Sequence, residues 1–418
     1  MRYLSIPKAK LFEPFLWVYF VWYYLPVARA FFRSGIYNQL FFGLFAIGCA
    51  LCFYEYITAH QEIRFQYNPL IPVLAYLLVF FIFSLLNIAT AKDHIRVSFT
   101  FWGSLIVYYL TVMNPRTQKR LVVLGMVMLL TTAITSMVGV VVNPRAARII
   151  TYASNDIEED LAIRLLNIGG LAFFQGLVVC VPILLTLISH NKYKRLAIVA
   201  LSIIFISLLS ASFTIALIVF VVAVIMGYIA NNSLNGRVMA ISICLIIIFV
   251  VPWSNVLMWL SEIINNPTIS ERLLSLASSL SSGSAEGDLS SRVNLYLSSL
   301  NTFLEQPWGV GPEYTFVNYE KGIGYHSQFL DDLARYGVFA LIFYIAFFAG
   351  YYKLLYKQWS KIDLQQIALP VVIVYFIFLV LNPGFTSPHE GVLLLFLIPA
   401  FPDVINKNEE TQPELIVS

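Results

Sequence analysis

Long apolar runs separated by short polar breaks dominate this chain, and that alternation sets the expected architecture. A helix needs about 20 apolar residues to cross the hydrocarbon of a bilayer. By that measure apolar segments fall near 12–31, 36–58, 69–91, 97–113, 121–142, 166–189, 196–210, 211–230, 238–257, 336–352, 367–381 and 391–405. The expected fold class is therefore an all-α polytopic membrane protein with about twelve transmembrane helices.

The stretch 196–230 decides the count. As one helix it would run roughly 50 Å, well beyond the hydrocarbon core. Ser210 and Ser212 lie at its middle, where a break is expected. With two crossings there, the clusters Arg116/Lys119/Arg120, Lys192/Lys194/Arg195 and Lys353/Lys357/Lys361 share one side. The excess of basic residues in short loops makes that side the cytoplasm, with both termini on it. The first segment resembles a signal peptide, with Arg2, Lys8 and Lys10 ahead of it and Ala28-Arg29-Ala30 behind. It is read instead as an uncleaved span, because the later spans need an orientation anchor. Residues 1–257 then carry spans one to nine, 258–335 a large external loop, 336–405 spans ten to twelve, and 406–418 a polar cytoplasmic tail.

Composition agrees. Hydrophobic residues make up 59% of the 418 and charged residues 12%, where a soluble chain carries about 25% charged. That excludes a disordered protein, a disulfide scaffold and an ordinary cytosolic enzyme. Cys49, Cys52, Cys180 and Cys244 all sit in apolar runs and read as small hydrophobes, the C-x-x-C spacing of the first two notwithstanding. The net charge of +3, with no long basic block, points to no nucleic-acid partner. No phosphate-binding glycine loop and no internal repeat is present, so neither an ATP-driven motor nor a repeat-built transporter is indicated.

An external loop of this length is far above the usual connection, and such loops are usually functional. Residues 269–282 read as a short amphipathic helix carrying Ile269, Leu273, Leu276 and Leu280, and Ser281 to Gly287 as a flexible link. A second helix over 289–305 places Val293, Tyr296, Leu297, Leu300, Phe303 and Leu304 on one stripe, suited to the membrane surface or to packing over the spans. Pro307 stops it. Pro307-Trp308-Gly309-Val310-Gly311-Pro312 and Gly322-Ile323-Gly324-Tyr325-His326 follow. Glycines admit close backbone approach to a ligand, and aromatic rings with a polar rim suit sugar faces.

Ser291-Arg292, then Phe303-Leu304-Glu305-Gln306-Pro307 with Gly309 and Gly311, then His326-Ser327 ahead of Leu330 and Gly337, resemble the signature region of the bacterial O-antigen polymerase (Wzy) and O-antigen ligase superfamily. Arg164 followed by Asn167-Ile168-Gly169-Gly170 is a second likeness. The resemblance implies a GT-C-like, metal-independent glycosyltransferase of the bacterial inner membrane that needs no cofactor. Its implied substrate is an undecaprenyl-diphosphate-linked oligosaccharide, with the lipid bilayer, a flippase and a chain-length regulator as further partners. Polymerases add a growing chain to the next lipid-linked unit, whereas ligases move it to lipid A-core. Many relatives carry Ser-Arg-Thr where this chain has Ser212-Phe213-Thr214, and the ligase-like pattern after the histidine departs at Ala340; both weaken the ligase reading more than the polymerase one.

A lipid diphosphate leaving group calls for cations, and guanidinium donates to phosphate in pairs while staying charged. Arg292 is the expected catalytic cation, and Arg164, Arg272 and Arg335 the expected substrate-binding ones. His326, at the expected start of the helix that becomes the tenth span, is the candidate to accept a hydroxyl proton. Gly309, Gly311, Glu305 and His389 are expected to line the substrate, the last beside Glu390 at the mouth of the twelfth span. Asp331 and Asp332 occupy the first turns of the helix after His326, where acids are favoured structurally. The competing class is a polysaccharide flippase, which would bury charge at mid-membrane. Here the ionisable residues gather instead at span ends and in the one loop.

Overall fold

A computed structural model describes residues 13–31, 35–58, 70–85, 101–112, 115–152, 157–211, 213–232, 236, 253–263, 270–271, 273–274, 277–278, 288–311, 322–385 and 388–405. Most of the expected ninth span, the link 281–287, Arg272, Glu313 and the tail 406–418 lie outside the described residues.

Every regular element among the described residues is helical. In chain order they are α1 (Glu13–Tyr24), α2 (Pro26–Phe31), α3 (Gly35–Thr58), α4 (Leu70–Leu85), α5 (Phe101–Thr111), α6 (Pro115–Val142), α7 (Ala146–Tyr152), α8 (Ile157–Leu165), α9 (Leu171–Val179), α10 (Val181–Ser189), α11 (Lys194–Ala211), α12 (Thr214–Ala230), α13 (Trp253–Ile263), α14 (Asp288–Glu305), α15 (Gln328–Tyr336), α16 (Val338–Ser360) and α17 (Ala368–Leu381). The last, α18, joins Pro388–Gly391, a π-helical turn Val392–Leu397 and Ile398–Ile405. Among the described residues four helices are long and apolar enough to cross a membrane: Pro115–Val142, Leu171–Ser189, Lys194–Ala211 and Val338–Ser360. Phe101–Thr111, Ile215–Ala230 and Gln365–Leu381 are shorter apolar helices.

The break expected near Ser210 and Ser212 is present. Helix α11 ends at Ala211 and α12 begins at Thr214, with extended backbone at Phe213. The rings of Phe205 and Phe220 meet at 5.7 Å across the turn, so the two helices fold back on each other. Two expected boundaries move. Span 166–189 starts at Leu171, because residues 167–170 form a turn held by α6: Asn167 donates to Thr132 (3.0 Å) and the Gly169 N–H donates to Ser136 (2.8 Å). Nor does the helix after His326 run on into the tenth span. Gly337, at φ +61°, ends α15 and turns the chain into α16.

The polar groups segregate to two ends. Helix α16 has 23 residues and so runs about 35 Å. Beyond its C-terminus Lys192 donates to the Ile362 carbonyl (2.7 Å), Lys361 pairs with Asp403, and Gln366 meets His190 (3.3 Å). Beyond its N-terminus lie α14, α15 and the 382–391 turn, joined where Tyr296 donates to the Leu381 carbonyl (2.7 Å) and Gln328 N–H to the Asn382 carbonyl (3.0 Å). Between the ends, large side chains such as Trp102, Phe347, Tyr351 and Trp359 are fully buried.

If the lysine-rich end faces the cytoplasm, as the loop charges predict, a single cysteine at Lys194, in a variant whose own four cysteines are alanines, should react with a membrane-impermeant maleimide only after spheroplasts are permeabilised. A cysteine at Trp308 should react without permeabilisation. Equal reaction of both from one side contradicts this arrangement.

Candidate active site

The site is built on the face of α14 that carries small polar residues. Ser298, Ser299 and Thr302 are buried, whereas Val293, Leu297 and Leu304 of the apolar stripe are exposed. The stripe is thus split: Val293, Leu297 and Leu304 face outward, as on a helix at the membrane surface, whereas Phe303 packs against the core, and the inward face has backbone to satisfy. Thr302 accepts from Gly322 N–H (2.8 Å), and Ser298 and Thr302 donate to the Gly322 carbonyl (3.2 and 3.1 Å). Ser299 accepts from Gly324 N–H (2.8 Å) and donates to Asp331 Oδ1 (2.6 Å). A buried N–H or carbonyl left without a partner costs about 1–3 kcal/mol, so these hydroxyls fix the path of 322–327.

That path positions His326. The following residue, Ser327, caps α15 by accepting from Leu330 N–H (3.1 Å). His326 is half-buried, with Nδ1 3.0 Å from the Gly324 carbonyl. A carbonyl only accepts, so in this contact the hydrogen lies on Nδ1 and Nε2 is the ring nitrogen left free of it. Arg292 stands on the same face of α14, one turn before Tyr296 and close enough to hydrogen-bond its hydroxyl. Burial pushes the Tyr296 phenol above its ordinary value, and Arg292 pulls it back. Arg292, Tyr296 and Ser299, spaced i, i+4 and i+7, therefore run along the seam between α14 and the 322–331 segment.

The charged centre of this end is Asp332. Its Oδ2 accepts from Tyr344 (2.9 Å), Gln328 (2.9 Å) and Tyr76 (3.2 Å), and Arg335 Nη1 lies 3.4 Å from Oδ1. Burial raises the proton affinity of both Asp332 and Asp331, and Arg335 works against that rise in each. Burial also opposes the charge on Arg335, but Asp332 and then Asp331 more than restore it. Arg335 further lies over the Tyr325 ring, at 5.2 Å. Its Nε is buried without a hydrogen-bond partner among the described residues.

The other expected site residues separate. Gly309 and Gly311 press against the C-terminal carbonyls of α15: Val310 N–H donates to the Ala334 carbonyl (3.0 Å) and Gly311 N–H to that of Arg335 (2.9 Å). Gly309 has φ +91°, and a Cβ there would sit 2.3 Å from the Arg335 carbonyl oxygen. These glycines hold the corner that carries Arg335. Glu305 is exposed at the end of α14. Arg164, on α8, donates to the Ile150 carbonyl (3.4 Å), on a different pair of helices from the α14–α15 seam. His389 lies edge-on to Phe173 at 5.9 Å, beside the buried Glu390. Sequence reasoning assigned no role to Tyr76, Ser299 or Tyr344. A tyrosine inside an apolar run was the available signal, since its hydroxyl needs a partner once buried.

A helical bundle with apolar spans, and with buried charge and a half-buried histidine gathered at one end, is the arrangement of a membrane protein whose polar side chains cluster at that end. Compared with known families, residues 196–345 match the model described as O-antigen ligase, Wzy_C. The match takes in nearly all of α11, then α12, α13, α14 and α15 and the first turns of α16. It bears out the resemblance to the O-antigen polymerase and ligase superfamily over that stretch and supports an enzyme of the glycan-transferring kind. No match to a curated protein is found.

Removing the charge of Asp332 takes from Arg335 the larger of its two counter-charges, and breaking a buried pair costs about 3–5 kcal/mol. Asp332→Asn should accordingly lower the thermal melting point in detergent, and an unchanged melting point would contradict the pairing. Gly309→Ala, forced into the left-handed region against a carbonyl, should cost about 1–3 kcal/mol by the same measurement.

Proposed function

We propose that this protein is a polysaccharide polymerase, transferring a glycan from a polyprenyl-diphosphate carrier onto a sugar hydroxyl of the next lipid-linked repeat unit at the outer face of the bacterial inner membrane. What supports the reading is the family match over 196–345, which contains both α14, the helix that carries Arg292, and the 322–327 segment that carries His326 and is held to α14 by Ser299 and Thr302.

The acceptor hydroxyl attacks the anomeric carbon, and a new glycosidic C–O bond forms there. The anomeric bond to the phosphate oxygen breaks, and the diphosphate leaves on its carrier. His326 Nε2 takes the hydroxyl proton, held for that role by the Nδ1 contact to Gly324. Arg292 neutralises the charge that grows on the departing diphosphate, and no metal is assigned to that work. Tyr296 holds Arg292 in place through its own anchor on Leu381.

The description of the matching family favours a second reading, in which the same bond is made to lipid A-core. The two differ only in the acceptor. Incubated with a lipid-linked repeat unit alone, the purified protein is expected to yield a ladder of products; a single product that forms only on adding lipid A-core identifies the ligase. His326→Ala and Arg292→Ala should each reduce transfer by about 100-fold or more while leaving membrane insertion and melting temperature unchanged. Full-length polymer from either variant would remove that residue from the mechanism.

A further inference from the structure

A groove of about 310 Å³ runs between α4 and α16. It starts at Phe339, just past the Gly337 corner, and extends two turns along α16 to Ala346, a distance of about 10 Å. Its walls are apolar, with Ala75 on the α4 side and Ile342 on the α16 side. Its floor is different. There Tyr76 stacks on Phe343 at 4.1 Å and turns its hydroxyl to Asp332 Oδ2, in the cluster that holds Arg335.

Three observations say what fits such a groove. Ile342 and Phe339 are 59% and 43% exposed on a helix apolar enough to span the membrane, so the groove opens to hydrocarbon rather than to water. Trp308, 70% exposed, lies 6.2 Å from the Phe339 ring, and exposed tryptophan marks headgroup depth. At the same end stands the half-buried guanidinium of Arg335, a cation whose charge complements an anionic head. An occupant that satisfies all three has a long apolar body and an anionic head. The volume is at the small end of ligand clefts, about 300–1,000 Å³, which suits a stretch of a single chain rather than the paired chains of a bilayer phospholipid.

We infer that the α4–α16 groove is the docking site for the hydrocarbon chain of the polyprenyl-diphosphate carrier, with its head directed toward Arg335 and the α14–α15 seam. This assignment rests on the function proposed above, deepens it, and gives Arg335 and Tyr76 a part in aligning the carrier. The carrier's single chain enters sideways from the bilayer, and the Trp308–Phe339 pair sets the depth at which its head is held.

The test uses a polyprenyl diphosphate bearing a diazirine in its chain, photolysed with the full-length protein in nanodiscs. Carbene insertion should fall within residues 71–79 and 339–346 and be competed by unlabelled polyprenyl diphosphate. Filling the groove from either wall, with Ala75→Trp or Ala346→Trp, should reduce insertion by about tenfold or more, while Ala349→Trp, on the same helix but outside the groove, should leave it unchanged. Insertion elsewhere overturns the inference, as does competition by phospholipid alone or undiminished labelling in both filled variants. Labelling requires no turnover, so a protein that labels at the groove yet transfers no glycan refutes the proposed reaction and not the docking site. One that transfers glycan but labels elsewhere refutes only the docking site.

Discussion

One buried carboxylate organises the end of the bundle where the site lies. Asp332 is almost wholly removed from water, and an ionised group there is tolerated only if paired and hydrogen-bonded. Its partners come from widely separated parts of the chain: Tyr76 from α4, Tyr344 from α16, and Gln328 and Arg335 from its own helix. Satisfying that one group fixes where α4 and α16 sit relative to α15. The lateral groove and the charged cluster are therefore two sides of one constraint, since Tyr76 belongs to both.

A second constraint acts on the loop. Segments between spans carry backbone groups that must find partners once they leave water. Helix α14 supplies them by turning Ser298, Ser299 and Thr302 inward and leaving Val293 and Leu297 outside. In a soluble protein that arrangement would be unfavourable. Next to a bilayer, the outward apolar face has hydrocarbon or headgroups to rest on. The glycines at 309 and 337 complete the frame by allowing the 307–311 segment to cap α15 where a side chain would collide. His326 and Arg292 are thus carried on rigid supports, although both belong to a long connection.

The bilayer also explains the spacing of charge. Lys192 and Lys361 with its partner Asp403 collect at one end of α16, and Asp331, Asp332 and Arg335 at the other. Charge is costly within hydrocarbon, so ionisable groups settle at the ends of helices or pair where they are buried.

The amino-acid sequence alone determined the class of fold. Apolar runs of membrane-spanning length, the break near Ser212 and the helix over 289–305 all follow from local composition, because burial in lipid is read one helix at a time. The resemblance to a family signature, rather than periodicity, made Arg292 and His326 candidates. What local pattern could not reach was which side of a helix faces the protein, since lipid and protein interior are equally apolar; hence the polar inner face of α14 came from the tertiary structure. Likewise Gly309 and Gly311, expected at the substrate, proved to cap a helix, and Arg335 proved to be paired with Asp332. The tyrosine that completes that pair lies 256 residues away. Only folding could bring it there, because a buried charge recruits its partners through space and leaves no fixed spacing along the chain.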